Sequence, residues 1–261
     1  VPTWPDPSRF WQVIDRHKVT HFYTAPTAIR SLQALGLEPI RNSSLESLKV
    51  LGSVGEPINE EAWEWYSENI GKSRIPIVDT WWQTETGGIM ISTLAGVTPA
   101  IPAHATLPLP GIEPVLMDEV GQEIQTPEAE GRLCIKRPWP GMARTVFGDS
   151  KRYFDTYLSA FTGYYFTGDG AKRDRNGNYR ITGRVDDIII VSGHNIGTAE
   201  VEDALDLHPD VVESAVIGFP HPIKGQAIHA FLICSRSNVE QASLRTQLLE
   251  LVTKQLEELC S

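Results

Sequence analysis

The sequence predicts an α/β chain in which parallel βα units give way to a small antiparallel β region and then to a compact α+β segment. Three observations carry this. In the first third, β-rich runs alternate with helical periodicity; from about residue 94 the strands shorten and are punctuated by Pro, Gly and acidic turns; after residues 184–187 (RVDD) helical periodicity returns. The corresponding segments are 1–93, 94–185 and 186–261.

Residues 20–24 (THFYT) read as a strand. Pro26 then stands where a first-turn proline is tolerated, and apolar Ala28, Leu32 and Leu35 recur until Gly36 stops a helix over 27–35. A second unit follows. Residues 47–54 are β-rich, Gly55-Glu56-Pro57 turns, Asn59 can cap, Glu60 and Glu61 suit the positive end of a helix, and Gly71-Lys72 closes it. A third strand is expected at 75–79. Strand, helix, strand, helix, strand at these spacings implies parallel pairing through right-handed crossovers, so the loops after Val54 and Asp79 share the carboxyl edge of one sheet, where such sheets bind ligands.

Beyond residue 94, short strands at 115–117 and 132–136 and a hairpin around Asn176-Gly177 suggest a small antiparallel barrel. The last segment predicts a helix over 199–207, strands over 212–219 and 226–234, and an amphipathic helix from about Val239. No internal repeat interrupts this order.

Composition narrows the partners. With 23 Lys+Arg against 33 Asp+Glu the 261-residue chain carries a net charge of −10, which repels nucleic acid and anionic membranes. No apolar run approaches the ~18 residues of a membrane span, and the first residues lack the basic and apolar parts of a secretory signal. A start at Val1 rather than Met suggests a fragment. Cys134, Cys234 and Cys260 are odd in number and far apart, which indicates neither a disulfide framework nor a zinc site and fits a reducing compartment, the cytoplasm or a mitochondrial matrix.

Four stretches carry candidate chemistry. In 52–57 (GSVGEP) glycine lets backbone approach a ligand, although the same residues suit a plain turn and lack Walker or dinucleotide spacing. In 79–88 (DTWWQTETGG) two tryptophans alternate faces at a strand end, where they could be core; the hydroxyls, carboxylate and glycine pair beside them suit stacking, phosphate contact and Mg²⁺ ligation. In 165–170 (YFTGDG) Asp169 stands between glycines, as a turn residue or as an acceptor for both hydroxyls of a ribose. Arg184 is a candidate sugar or phosphate contact or a surface arginine, Asp186-Asp187 a hinge, and 191–198 (VSGHNIGT) a glycine-bracketed loop leading into a helix. His194 in that loop has no evident acid–base partner and is given no catalytic role.

Together, GSVGEPIN (52–59), DTWWQTETGG (79–88), YFTGDGAKRD (165–174) and ITGRVDDIIIVSGHNIGTAEVE (181–202) resemble the acetyl-CoA synthetases of the acyl-adenylate-forming superfamily, in that family's order and over nearly the whole chain. The resemblance implies part of a large adenylate-forming domain, parallel βα units plus a small antiparallel barrel, followed by a small C-terminal domain. It implies an acetate–CoA ligase that uses ATP, Mg²⁺ and CoA, forming acetyl-adenylate with release of pyrophosphate and then, after the small domain rotates, acetyl-CoA. Carried over by position, Gly55, Glu56 and Pro57 line the adenine; Asp79, Thr80, Trp81, Gln83 and Thr84 complete the nucleotide pocket; Asp169 takes the ribose hydroxyls and Arg184 the ribose and α-phosphate side. Glu85 holds Mg²⁺, Trp82 and Val54 bound the acyl pocket, Asp186 is the hinge, Ser192 and Gly193 belong to the CoA loop, and a second metal site falls at Asp206, His208 and Val211. For His208 a helix-end histidine before Pro209 is the plainer reading.

The departures set limits. Asn195 stands where the family has an arginine aimed at the nucleotide phosphates. The family's phosphate loop would precede Val1, and its catalytic lysine is not matched, since Lys254 is the last lysine and no SGK-type motif surrounds it. No catalytic residue is therefore assigned, and residues 1–261 alone are expected to lack adenylate formation. Two alternatives stay open: a propionate or other short-chain acyl–CoA ligase, and a non-catalytic nucleotide- or partner-binding module.

Overall fold

A computed structural model of the chain describes residues 4–185, 188–191, 194–221, 225–235 and 241–259. Helix α1 (Arg9–His17) comes first and buries Trp11 and Ile14; its short amphipathic stretch, preceded by prolines, was not foreseen. Strands β1 (His21–Thr24), β2 (Val50–Ser53) and β3 (Ile77–Trp81) then pair in parallel, in that order, and the short β4 (Ile91–Ser92) joins β3 antiparallel. Between them, α2 (Pro26–Ala34) opens on Pro26 and ends before Gly36, which adopts the left-handed φ of +71°. Helix α3 (Glu60–Trp65) is capped by the Asn59 side chain, which accepts the Ala62 N–H at 2.9 Å, and runs into a π-helical turn that Gly71 terminates. Trp11, Ile29, Leu51, Tyr66, Ile70 and Ile77 form the core under this sheet.

The third strand is displaced from its expected span of 75–79. It starts after Pro76, which has no N–H to give a ladder and whose carbonyl instead accepts from Leu51 at 3.1 Å, and it continues through Trp81. Asp79 and Thr80 are thus strand residues, and the functional loop begins after Trp81 rather than after Asp79.

Strands β5 (Pro114–Met117), β6 (Ala129–Ile135), β7 (Tyr165–Arg173) and β8 (Tyr179–Arg184) form an antiparallel meander whose last turn holds Asn176-Gly177, with Gly177 at φ +84°. Among the described residues no ladder closes β8 onto β5. Helix α4 (Ser150–Tyr157), capped by Asp149, precedes β7 and was also unforeseen.

The remaining elements are β9 (Ile188–Val191), β10 (His194–Gly197), α5 (Thr198–Asp206), β11 (Val211–His221), β12 (Gly225–Cys234) and α6 (Gln241–Leu259), the strands forming one antiparallel sheet in the order β10-β9-β12-β11. The loop expected at 191–198 is instead largely strand. The apolar run 188–191 pairs with 194–197 as a hairpin, because four consecutive β-branched residues favour a ladder over a loop. Val201, Leu205, Val216, Leu244 and Leu248 make a separate core. This unit leans on the meander through Lys172 to Glu200 (2.7 Å) and Arg180 to Asp203 (3.1 Å). Cys134 and Cys234 are free, and among the described residues no helix is long and apolar enough to cross a membrane.

Candidate functional site

A cavity of about 430 Å³ opens at the carboxyl ends of β2 and β3. The turn after β2 contributes Gly55, Glu56 and Pro57; β3 and its exit contribute Asp79, Thr80, Trp81, Trp82 and Gln83; β7 and β8 contribute Asp169 and Arg184; α5 closes the far side with Glu202, Asp203 and Asp206. Residues separated by more than a hundred positions therefore meet at one sheet edge, where parallel strands end together. Val54, Thr84 and Glu85 do not line this cavity but sit next to residues that do: Val54 precedes Gly55, and Thr84 opens the 3₁₀ turn Thr84–Thr86 that follows Gln83.

Asp169 is held at both carboxylate oxygens. Trp81 Nε1 and Gln83 Nε2 each donate to its Oδ2 at 3.0 Å, and Arg184 Nη1 reaches its Oδ1 at 3.3 Å. Gln83 and Arg184 also donate to the Thr167 carbonyl, at 2.7 and 3.1 Å. The orientation of the Gln83 amide is fixed from behind, because the Tyr165 hydroxyl donates to its Oε1 at 3.0 Å. Gly168 has a definite task here. At φ +75° it carries no Cβ, and one placed there would stand 2.5 Å from Arg184 Nη2, so the guanidinium lies against bare backbone. Tyr165, Thr167 and Gly168 are supporting residues that sequence reasoning passed over; the glycine flanking Asp169 was the available signal.

Asp79 is buried and accepts the Thr80 N–H at 3.1 Å. Burial pushes its carboxyl up to about 7, so it changes charge near neutrality. Glu56 is engaged structurally: its carboxylate accepts the Thr27 N–H at 2.6 Å and pairs with Arg30 at 3.4 Å, which ties the turn after β2 to the start of α2.

Glu85 is half-buried beside the tyrosines that α4 and β7 deliver. Tyr157 stacks on Tyr165 with ring centroids 5.2 Å apart, and its phenol is pushed up to about 12, first by burial and then by its hydrogen bond to Glu85. Among the described residues no group of three or more His, Cys, Asp or Glu could hold a metal. A hard cation at Glu85 would need its other oxygens from a bound ligand and water, the usual arrangement for Mg²⁺ on phosphates.

The residues predicted as a second metal site lie at the end of α5 and the start of β11. Asp206 Oδ1 accepts the Ser214 hydroxyl at 2.7 Å. His208 Nδ1 accepts the Asp210 N–H at 3.2 Å, which leaves Nε2 to donate to Gln247 Oε1 at 2.7 Å. Both ring nitrogens are thus engaged as in the helix-end reading, and a metal would have to displace one of these partners. Asp186, Ser192 and Gly193 lie outside the described residues, as do the side chains of His194 and Asn195.

Residues 1–147 match the AMP-binding enzyme family and residues 200–261 match the AMP-binding enzyme C-terminal domain. The chain belongs to the AMP-binding enzyme family. Within it, the chain is 60% identical over 255 residues to an acetyl-coenzyme A synthetase of Leptospira biflexa serovar Patoc, covering 97% of this chain and 39% of that protein. It is 56% identical over 256 residues to acetyl-coenzyme A synthetase 2 of Pseudomonas putida, covering 98% of this chain and 40% of that one. Among solved structures, anthranilate CoA ligase AuaEII in complex with anthranoyl-AMP superposes with a TM-score of 0.78 at 29% identity, over 95% of this chain and 46% of that chain. The chain therefore spans about two fifths of the length of these synthetases, and its fold is that of an AMP-binding enzyme.

Proposed function

We propose that the chain is the central and C-terminal part of an acid–thiol ligase that joins acetate to ATP as acetyl-adenylate, releasing pyrophosphate, and then passes the acetyl group to CoA, releasing AMP. Residues 1–93 and 94–185 belong to its large domain and 186–261 to its small one. The observation that carries this is the clamped Asp169 facing Trp81, Gln83 and Arg184 across one cavity. A carboxylate so fixed offers two acceptor oxygens at a set angle, the arrangement that grips the paired hydroxyls of a ribose.

In this reading Arg184 lies on the ribose and α-phosphate side, where its charge opposes that of the phosphate. Gly55, Glu56 and Pro57 run along the adenine, and Asp79, Thr80, Gln83 and Thr84 complete the nucleotide pocket. Glu85 would hold Mg²⁺, which when bound would neutralise charge on the ATP phosphates. Trp82, with Val54, walls the acyl pocket, and an indole there fills the volume that a longer acid would need. Asp186 serves as the hinge and Ser192 and Gly193 as part of the CoA loop.

The test uses the intact protein purified from its own cells. Acetate-dependent exchange of pyrophosphate into ATP is expected, with kcat/KM for acetate above that for propionate. Asp169→Ala should weaken ATP and AMP binding at least ~10-fold, the scale of one lost charge-assisted contact. Exchange that follows propionate instead would change the substrate; AMP binding with no exchange on any short acid would leave a nucleotide-binding module.

A further inference from the structure

We infer that Tyr23 is a positioning residue for acyl-chain length, acting through the indole of Trp82. The inference rests on the reading of Trp82 as the wall of the acyl pocket.

Tyr23 lies on β1 directly opposite Gly52 of β2 in the parallel register. A Cβ on Gly52 would stand 2.5 Å from Tyr23 Cδ2, so the phenol ring lies across bare backbone and reaches β3. There its hydroxyl meets Thr80 Oγ1 at 2.7 Å and Trp82 Nε1 at 3.4 Å, while Thr80 Oγ1 lies 3.0 Å from the Ser53 carbonyl.

Chemistry fixes the direction of this chain of bonds. The Ser53 carbonyl can only accept, so the Thr80 hydroxyl donates to it. The indole N–H can only donate, so the Tyr23 oxygen accepts from Trp82 and the Tyr23 proton goes to Thr80. Each hydroxyl donates once and accepts once, and no alternative arrangement satisfies both ends.

Exposure explains why the tether matters. Trp82 is 40% exposed and Tyr23 47%, whereas Thr80 is buried. An indole that exposed is not held by packing alone, and its orientation follows from the bond to Tyr23, which the buried end of the chain anchors. Rotating the ring away would open space beside Val54 for further methylenes, the group on which short acids differ.

The experiment compares the intact enzyme with its Tyr23→Phe variant, which keeps the ring on Gly52 and removes only the hydroxyl. The expected result is a KM for acetate raised about 3- to 10-fold, an unchanged KM for ATP, and a fall of at least about 3-fold in the ratio of kcat/KM for acetate to that for butyrate. A general loosening of the sheet would move the ATP constant as well, and that outcome overturns the inference. A parallel Trp82→Gly variant separates the two layers of reasoning. If it admits longer acids while Tyr23→Phe leaves the ratio intact, Tyr23 has no positioning role and the pocket reading stands; if neither changes the ratio, the pocket reading itself fails. Should Tyr23→Phe not fold, nuclear magnetic resonance of the ¹⁵N-tryptophan-labelled wild-type protein decides. A Trp82 indole proton that exchanges with water more slowly than free indole supports the tether, and one that exchanges as fast overturns it.

Discussion

Replacing Asp79 by Asn should stabilise the fold increasingly as pH rises, with little effect in acid. The side chain is 7% exposed, and burial lifts its carboxyl from 3.8 to about 7. The sign follows from proton binding. Between pH 3.8 and 7 the folded chain holds this proton and the unfolded chain releases it, so the stability present below pH 3.8 falls by about 1.4 kcal/mol per pH unit and is lost once pH passes 7. The full loss is roughly 4 kcal/mol, an upper figure because water that follows an ionised group softens the penalty. Asparagine is close to isosteric with the neutral acid, keeps an oxygen for the Thr80 N–H, and never ionises. Urea unfolding of both proteins, followed by tryptophan fluorescence at pH 5, 6, 7 and 8, should show the advantage of Asp79→Asn growing by roughly 3 kcal/mol across the series. A difference that does not vary with pH, or a wild type that is the more stable at pH 8, would refute the argument that Asp79 is held against its ionised form.

Two further changes test other parts of the site and its scaffold. Gly168→Ala places a methyl at left-handed φ and 2.5 Å from Arg184 Nη2; a loss of about 1–2 kcal/mol in unfolding free energy is expected, with weaker AMP binding by calorimetry as the guanidinium leaves Asp169. Asn59→Ala removes the cap bond to Ala62 and should cost about 1 kcal/mol, lowering Tm by roughly 2–4 °C in a calorimetric scan while leaving AMP affinity unchanged.

Much of the first sheet was legible because its punctuation is local. Pro26, Gly36, Asn59 and Gly71 act through their own backbone or that of a neighbour within a turn, and each stands where an element begins or ends in the structure. Helices α1 and α4, within a residue of α2 and α5 in length, escaped because breakers crowd their starts: Pro2, Pro5 and Pro7 precede α1, and Pro138, Pro140, Gly141 and Gly148 precede α4, so both stretches read as loop. The pairing of 188–191 with 194–197 was hidden by the serine and glycine between the two strands, although the run of isoleucines carried the signal. The candidate site divides the same way. Asp169, Trp81, Gln83 and Arg184 were found from their motifs, whereas the bonds that Trp81 and Gln83 make to Asp169 join the end of β3 to β7 across more than eighty residues.

By itself the sequence determined the order of elements, the family resemblance and the residue types brought to the carboxyl edge of the sheet, since hydrophobic period, caps and motif residues are properties of short stretches. Only the tertiary structure decided how those residues are used. It placed Asp79 inside a strand, so that burial moves its proton affinity; it engaged Glu56 with α2 and both ring nitrogens of His208 with protein partners; and it brought the hydroxyl of Tyr23, a residue no motif singled out, to the indole N–H of Trp82. Burial, charge pairing and hydrogen-bond direction depend on atoms distant in the chain, and they exist only once the sheets have closed around the cavity.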